Sequence, residues 1–260
     1  VILTKSTGMR RMKKRWKILG FGVLALLGII TAGAIVGHEP LPEYTTGPEA
    51  DSLATEMLKA VSYDKWISTN ALTFTFAGRH HYLWDKSRQL ARIEWGSHSV
   101  LLRLSDQTGV AFLNGSLLTG KELESALQKA WSFWCNDSFW FCAPVKCFDP
   151  GTIRGIVSEE GAPPQLLIRY TSGGVTPGDS YLWILDEQKR PTGWKMWTSI
   201  IPVGGVYSSW ENWKVLESGA TVATTHSTSS FELELTNVQG ATSLSKLGYK
   251  DDPFDPLTKR

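Results

Sequence analysis

Three cysteines and five histidines in 260 residues, with 27 basic residues nearly balanced by 25 acidic ones, exclude several kinds of protein at once. A small disulfide scaffold needs far more cysteine. Cys135, Cys142 and Cys147 are spaced by seven and five residues, which does not match the paired Cys-x-x-Cys of zinc or thioredoxin-like sites. One bridge, such as Cys142 to Cys147 across the Ala143-Pro144 bend, and no bridge at all both fit that spacing. Glycine and proline, 24 and 12, are too few for a collagen-like chain, and a 42% hydrophobic share at net charge +2 is too apolar for disorder. No Gly-x-Ser-x-Gly, His-Glu-x-x-His, Gly-x-Gly-x-x-Gly or calcium loop occurs. Gly115 to Glu122 (GSLLTGKE) imitates a phosphate loop until Glu122 stands where a magnesium-binding hydroxyl belongs, so it reads as a hairpin turn and helix start. Neighbouring His80 and His81 would point to opposite faces of a strand. Neither a metal site nor a cofactor is expected, and a hydrolase stands third among the functions considered.

What is present is unevenly placed. Residues 1–17 hold seven of the cations and no acid, leaving 20 basic against 25 acidic residues in the rest, a balance that disfavours nucleic acid as a partner. From Ile18 to Gly37 the chain is uncharged and mostly apolar (ILGFGVLALLGIITAGAIVG). As a helix these 20 residues would reach about 30 Å, one hydrocarbon thickness. Cations before the segment and Glu39 as the first acid after it orient the N-terminus inward and export the remainder. Ala32-Gly33-Ala34 offers a signal-peptidase site, whereas the length favours an uncleaved anchor, the reading preferred here. Met9 and Met12, just before the basic cluster, are alternative starts. The expected organisation is a basic cytoplasmic head (1–17), a transmembrane or signal segment (18–37), a linker (38–48) and a folded domain (49–260). The expected location is the bacterial cell envelope, at the inner membrane with a periplasmic domain.

Within that domain the periodicities are short. Leu53, Met57, Ala60 and Val61 predict an amphipathic helix from Asp51 to about Trp66, and Leu123, Leu127, Ala130, Trp131 and Trp134 a second over Lys121 to Trp134. Alternation predicts strands at Leu72 to Phe76, Ala91 to Trp95, Val100 to Leu104, Val110 to Leu113, Leu166 to Tyr170, Tyr181 to Leu185, Trp194 to Ile201, Val206 to Val215, Thr221 to His226 and Phe231 to Leu235. Their separators are turn chemistry, as in Asn114-Gly115, Gly173-Gly174 and Pro177-Gly178-Asp179. The expected fold is α+β, a single continuous antiparallel sheet. Asp85, Asp137 and Asp179, each beside an aromatic, are expected to cap or to bond turns.

Twelve tryptophans are the composition's outlying feature. Five aromatic stretches carry a resemblance: His81-Tyr82-Leu83-Trp84-Asp85, Ala91-Arg92-Ile93-Glu94-Trp95, Asn136-Asp137-Ser138-Phe139-Trp140, Gly173 to Trp183, and Ser209-Trp210-Glu211-Asn212-Trp213. Over Asp51 to Leu235 the chain resembles a group of exported bacterial proteins that in turn resembles the LolA/LolB-like family of lipoprotein carriers. The resemblance implies a large curved antiparallel sheet, an incomplete barrel, with helices packed on its concave face over an apolar cavity. It also implies a lipid or a lipidated protein as partner. Any single Trp is accounted for by core packing, but large aromatics also suit an acyl-chain pocket. Trp84, Trp95, Trp183, Trp197, Trp210 and Trp213 are the candidate ligand-binding residues, on the expectation that two helices hide less than half of a ten-strand sheet. The function expected first is lipid-like ligand binding without enzymatic activity, and the alternative is an extracytoplasmic structural or sensory interaction domain.

The topology gives the first prediction. Protease added to spheroplasts should digest everything after about residue 38, and protection of the domain would contradict the assigned orientation.

Overall fold

The computed structural model describes residues 37–258. The basic head and nearly all of the 18–37 segment therefore lie outside the described residues, among which no helix is long and apolar enough to cross a membrane. Helix α1, Pro48–Ala60, starts where Gly47 supplies a positive φ and Pro48 a fixed one, with Glu49 and Asp51 in its first turn and Lys59 in its last, each sign matching the helix dipole. It stops about six residues before the predicted end, because Ser62 takes a left-handed φ of 55°, and a separate helix α2 follows at Tyr63–Ser68. Five antiparallel strands follow as a meander, β1 (Ala71–Phe76), β2 (His80–Asp85), β3 (Leu90–Trp95), β4 (His98–Arg103) and β5 (Gly109–Leu113), closed by the short β6 (Ser116–Leu117) through the expected Asn114-Gly115 turn.

Helix α3, Gly120–Cys142, runs eight residues past its predicted end at Trp134. Nothing in Cys135 to Phe141 breaks a helix, and the turn tightens to a 3-10 form only at Ala143–Lys146, where Pro144 sits. Strands β7 (Thr152–Val157), β8 (Gln165–Tyr170), β9 (Ser180–Leu185), β10 (Pro191–Trp197) and β11 (Val206–Ser209) make a second meander. β12 (Lys214–Val215) and β13 (Thr221–Val222) form a ribbon, β14 (Thr225–Ser227) and β15 (Glu232–Ala241) return to the first sheet, and α4 (Asp255–Thr258) ends the described chain.

The antiparallel α+β fold is present and the sheet does not close into a barrel. The single continuous sheet is not: the order is β14-β15-β1-β2-β3-β4-β5-β6 in one sheet and β11-β10-β9-β8-β7 in another. The two meet at one bridge, where Glu211 and Thr225 exchange backbone hydrogen bonds of 3.0 and 3.3 Å. The cause is the segment predicted as one strand from Val206 to Val215. It breaks at Trp210 to Trp213, where Asn212 adopts a φ of 52°, and the chain turns from one sheet to the other.

Each sheet packs its helix-covered face into a separate core. Under the eight-stranded sheet lie Leu72, Phe74, Ile93, Val100 and Leu102 with α2 and α3, whose Ala126 and Ala130 admit close approach to β4 and β5. Under the five-stranded sheet lie Leu166, Ile168, Trp183, Trp194 and Met196 with α1 and the last turns of α3. The opposite faces are covered too. Phe254 and Leu257 close the first over Leu83, Leu90, Leu101 and Val110. Residues 38–48, expected as a linker, are a strap across the second. Glu39 N donates to Gly204 O and Trp197 Nε1 to Glu39 O, Glu39 pairs with Lys195, Tyr44 covers Leu167 and Leu182, and Thr45 pairs with Ile156.

The strap explains why β7 escaped the sequence reading. Gly155 interrupts its alternation, and a Cβ there would lie 2.3 Å from Tyr44 Cδ2. Gly155→Ala should therefore push Tyr44 off the sheet, raising amide exchange at Glu39 and Thr45 while global stability falls by only about 1 kcal/mol. Unchanged exchange at both amides would show that the strap does not depend on this contact.

Candidate functional site

Three tryptophans, Trp183, Trp194 and Trp210, are among the largest fully buried side chains of the described residues. Trp183 and Trp194 come from adjacent strands in direct register, and Trp210 folds back over both. Their ring centroids lie 4.9 to 5.1 Å apart, two of the three pairs edge to face, the arrangement that aromatic quadrupoles favour. Trp140, Phe139 and Tyr181 extend the ladder toward α3. This core is filled. The expectation of uncovered sheet lining a wide cavity is corrected, because the 3-10 turn, the β12–β13 ribbon and the large rings occupy the surface that two helices leave.

A narrow cleft survives at the seam between the two cores. It is bounded by Val61 and Trp66 on either side of the α1–α2 break, by Phe141, Pro144 and Val145, and by Trp210, Trp213, Thr221 and Val222. Its free volume is about 10 Å³, room for roughly one water. Two residues of this lining, Trp210 and Thr221, each carry a buried polar atom, Nε1 and Oγ1, with no hydrogen-bond partner. An unpaired buried donor of this kind costs about 1 to 3 kcal/mol. The indole N–H groups of Trp183 and Trp194 are unpaired as well, but these rings do not border the cleft. A larger groove of about 210 Å³ lies beyond the ribbon, where Lys214, Glu217 and Lys246 alternate with Val215 and Leu247.

Of the six tryptophans named from the sequence, the fold brings Trp210 and Trp213 to the cleft. Trp183 stays in the centre of its ladder. Trp84 and Trp95 belong to the other core, against Trp134 and Phe133 respectively. Trp197 faces the strap on the opposite side of the sheet, as its register against Trp194 requires. Sequence reasoning missed Val61, Trp66 and Thr221. Trp66 closes the amphipathic pattern of the first helix and could have been found; Thr221 carries no local signal.

A polar cluster lies in the first core. Asp137, on α3, accepts hydrogen bonds of 2.6 Å from Tyr82 Oη, 2.6 Å from His80 Nδ1 and 2.8 Å from Asn136 Nδ2. The expectation of a turn or cap is thus corrected for Asp137, since α3 continues past it. It holds for Asp85, which bonds the β2–β3 turn through Ser87 and Arg88, and for Asp179, which bonds Thr176 and Ser199. Burial, then the neighbouring carboxylate charge and its hydrogen bond, push the Tyr82 phenol far above its ordinary pKa. His80 stacks on Phe133 at 3.9 Å, so the cluster ties β2 to α3. The three cysteines are all free. Burial raises the thiols of Cys135 and Cys142 to about 11 and that of Cys147 to about 12, which leaves them protonated and unreactive at neutral pH.

No protein-family model matches the chain, and no curated protein matches it. Among solved structures it is similar to a domain from Vibrio parahaemolyticus named for outer membrane lipoprotein sorting, at 8% identity and a TM-score of 0.38, over 78% of this chain and 97% of that one.

His226 supplies a pH dependence at the junction of the sheets. On β14, fully buried, it lies 4.4 Å from the Trp210 ring and its Nδ1 bonds Ser209 O of β11. Burial lowers its pKa to about 4, against the opposing pull of the Ser209 carbonyl. An unfolded histidine titrates near 6.5, so between those values only the unfolded chain takes the proton. Stability present above pH 6.5 should fall by roughly 3 kcal/mol on the way to pH 4 and lose nothing further below it. Urea unfolding of the wild-type chain and of His226→Gln at pH 7 and pH 4.5 checks this, since the variant should lack that share of the loss.

Proposed function

We propose that the domain binds a lipid-like molecule at the seam, an apolar chain bearing a carbonyl, ester or carboxyl oxygen, and that residues 18–37 hold it at the outer side of a bacterial inner membrane. The observation that carries the reading is that two residues lining a mostly apolar cleft, Trp210 and Thr221, each keep a buried polar atom, Nε1 and Oγ1, without a partner. An indole N–H can only donate, so its natural complement is an acceptor oxygen on the ligand. The remaining lining offers such a molecule mostly hydrocarbon and ring faces, with the Cys142 side chain among them.

The cleft as it stands admits no acyl chain. Binding requires α1 and α2 to part at Val61 and Ser62, the left-handed break between them, and the ladder to stay in place. A twelve-carbon chain buried there gains about 10 kcal/mol at ~0.8 kcal/mol per methylene, which is set against the apolar contacts that separation gives up and the cost of association. The filled core supports a second reading, an interaction domain whose surface rather than interior meets its partner.

A fluorescent fatty acid titrated into the chain separates the two. Saturable binding with quenching of Trp emission is expected. Thr221→Val, which removes the unpaired hydroxyl, should weaken a carboxyl-bearing probe about five-fold, leave a probe of pure hydrocarbon unaffected and not lower stability. Absence of saturable binding would favour the interaction domain.

A further inference from the structure

One end of the five-stranded sheet combines features that neither the seam nor the fold accounts for. The β8–β9 loop, Thr171 to Asp179 (TSGGVTPGD), and the β10–β11 loop, Thr198 to Gly205 (TSIIPVGG), both project from it, and their one charged residue is the buried Asp179. Val175 is 50% exposed and Ile200 69%, the latter the most exposed large hydrophobic of the described residues. The loops are not independent. Asp179, buried, accepts Ser199 N at 2.9 Å on one carboxylate oxygen and Thr176 Oγ1 at 2.6 Å on the other, so a single side chain joins them into one tip.

The strap fixes what lies beside this tip. Glu39 is bonded to Gly204, His38 Nδ1 accepts Gly204 N at 3.0 Å, and a Cβ on Gly37 would lie 3.9 Å from Val203 Cγ1. The described chain thus begins against the β10–β11 loop, and the residues just before it are the uncharged run from Ile18. Behind the tip, on the strap-covered face, Arg169 is exposed and Lys195 is paired with Glu39. Apolar residues foremost with cations set back is the arrangement that suits the boundary between acyl chains and headgroups.

The geometry points to the 171–179 and 198–205 loops as a second membrane contact, with Val175 and Ile200 inserted in the same leaflet that residues 18–37 leave. This rests on the membrane attachment of that segment and is independent of ligand binding at the seam. Because the strap is bonded to the sheet, the domain is held at a fixed orientation, with this end of the five-stranded sheet toward the bilayer.

The test uses the full chain reconstituted in phosphatidylcholine vesicles, with an environment-sensitive fluorophore on Ile200→Cys or Val175→Cys. Ser116→Cys, in the β5–β6 hairpin at the far edge of the other sheet, is the reference, and the chain without an added cysteine gives the background from Cys135. Flotation with the vesicles reports attachment separately. Emission at 200 and 175 should shift to the blue and be quenched at least two-fold more than at 116 by lipids brominated high on the acyl chain. Iodide in the water should show the reverse order. Equal iodide quenching at all three positions would place the tip in water and overturn the proposal. A blue shift that lipid bromines do not quench would mean cover by protein, either residues 18–37 or a second copy, and also overturns it. A chain that fails to float removes the attachment and the contact together.

Discussion

The burial of Trp210 is the constraint on which the rest of the molecule depends. It sits at the point where the chain leaves one sheet for the other, and its ring touches Trp183 and Trp194 on one side and His226 on the other. The two sheets share one backbone bridge, and that ring joins α3, which packs under both, in holding their mutual angle. Ser209 and Thr225, its neighbours on β11 and β14, add polar bonds, with Ser227 N donating to Ser209 Oγ and Asn212 Nδ2 to Thr225 Oγ1. The first satisfies a backbone N–H at the corner and the second joins two side chains. The apolar contact with the ladder supplies the larger share of the cohesion, because a buried indole removes far more surface from water than a hydroxyl does.

The same corner shows why a filled interior and a binding site are compatible. Packing here is dense within each core and incomplete only between them, where α1 ends and the ribbon crosses. Closely packed regions move as units, and the surfaces between units are where an opening costs least. Trp66 and Trp213 lie on those surfaces, one from each core's edge.

Much of the architecture was legible wherever one face of a strand met a core. Ala91, Ile93 and Trp95, or Tyr181, Trp183 and Leu185, alternate because one side of each is packed beneath a helix. Of the strands that went unread, β2 (HHYLWD) lacks clean alternation although its partners β1 and β3 are adjacent in sequence, and β7 has a pattern set by something distant. β7 carries Gly155 because Tyr44 lies across it, and the break at Asn212 depends on a backbone angle that asparagine tolerates but does not announce. The strap looked like a linker because its pairing is with Gly204, Lys195 and Ile156, far along the chain. Among the tryptophans, counting could say that the interior is aromatic. Only the corner decides that Trp210 and Trp213 meet at the seam while Trp197 does not.

The position of β15 has a consequence for how the molecule comes into being. It lies between β14 and β1, so Thr73 of the first strand finds its Asn237 partner 164 residues later. Until that strand arrives, β1 presents an open edge and the aromatic face beneath it lacks Leu235 and Val238. A chain emerging N-terminus first from a ribosome or a translocation channel therefore cannot complete its larger sheet early, and loop closure over that span is slow. The larger sheet stays open at that edge until its last strand is released, whereas the five-stranded sheet needs no residue beyond Ser209 to pair its strands.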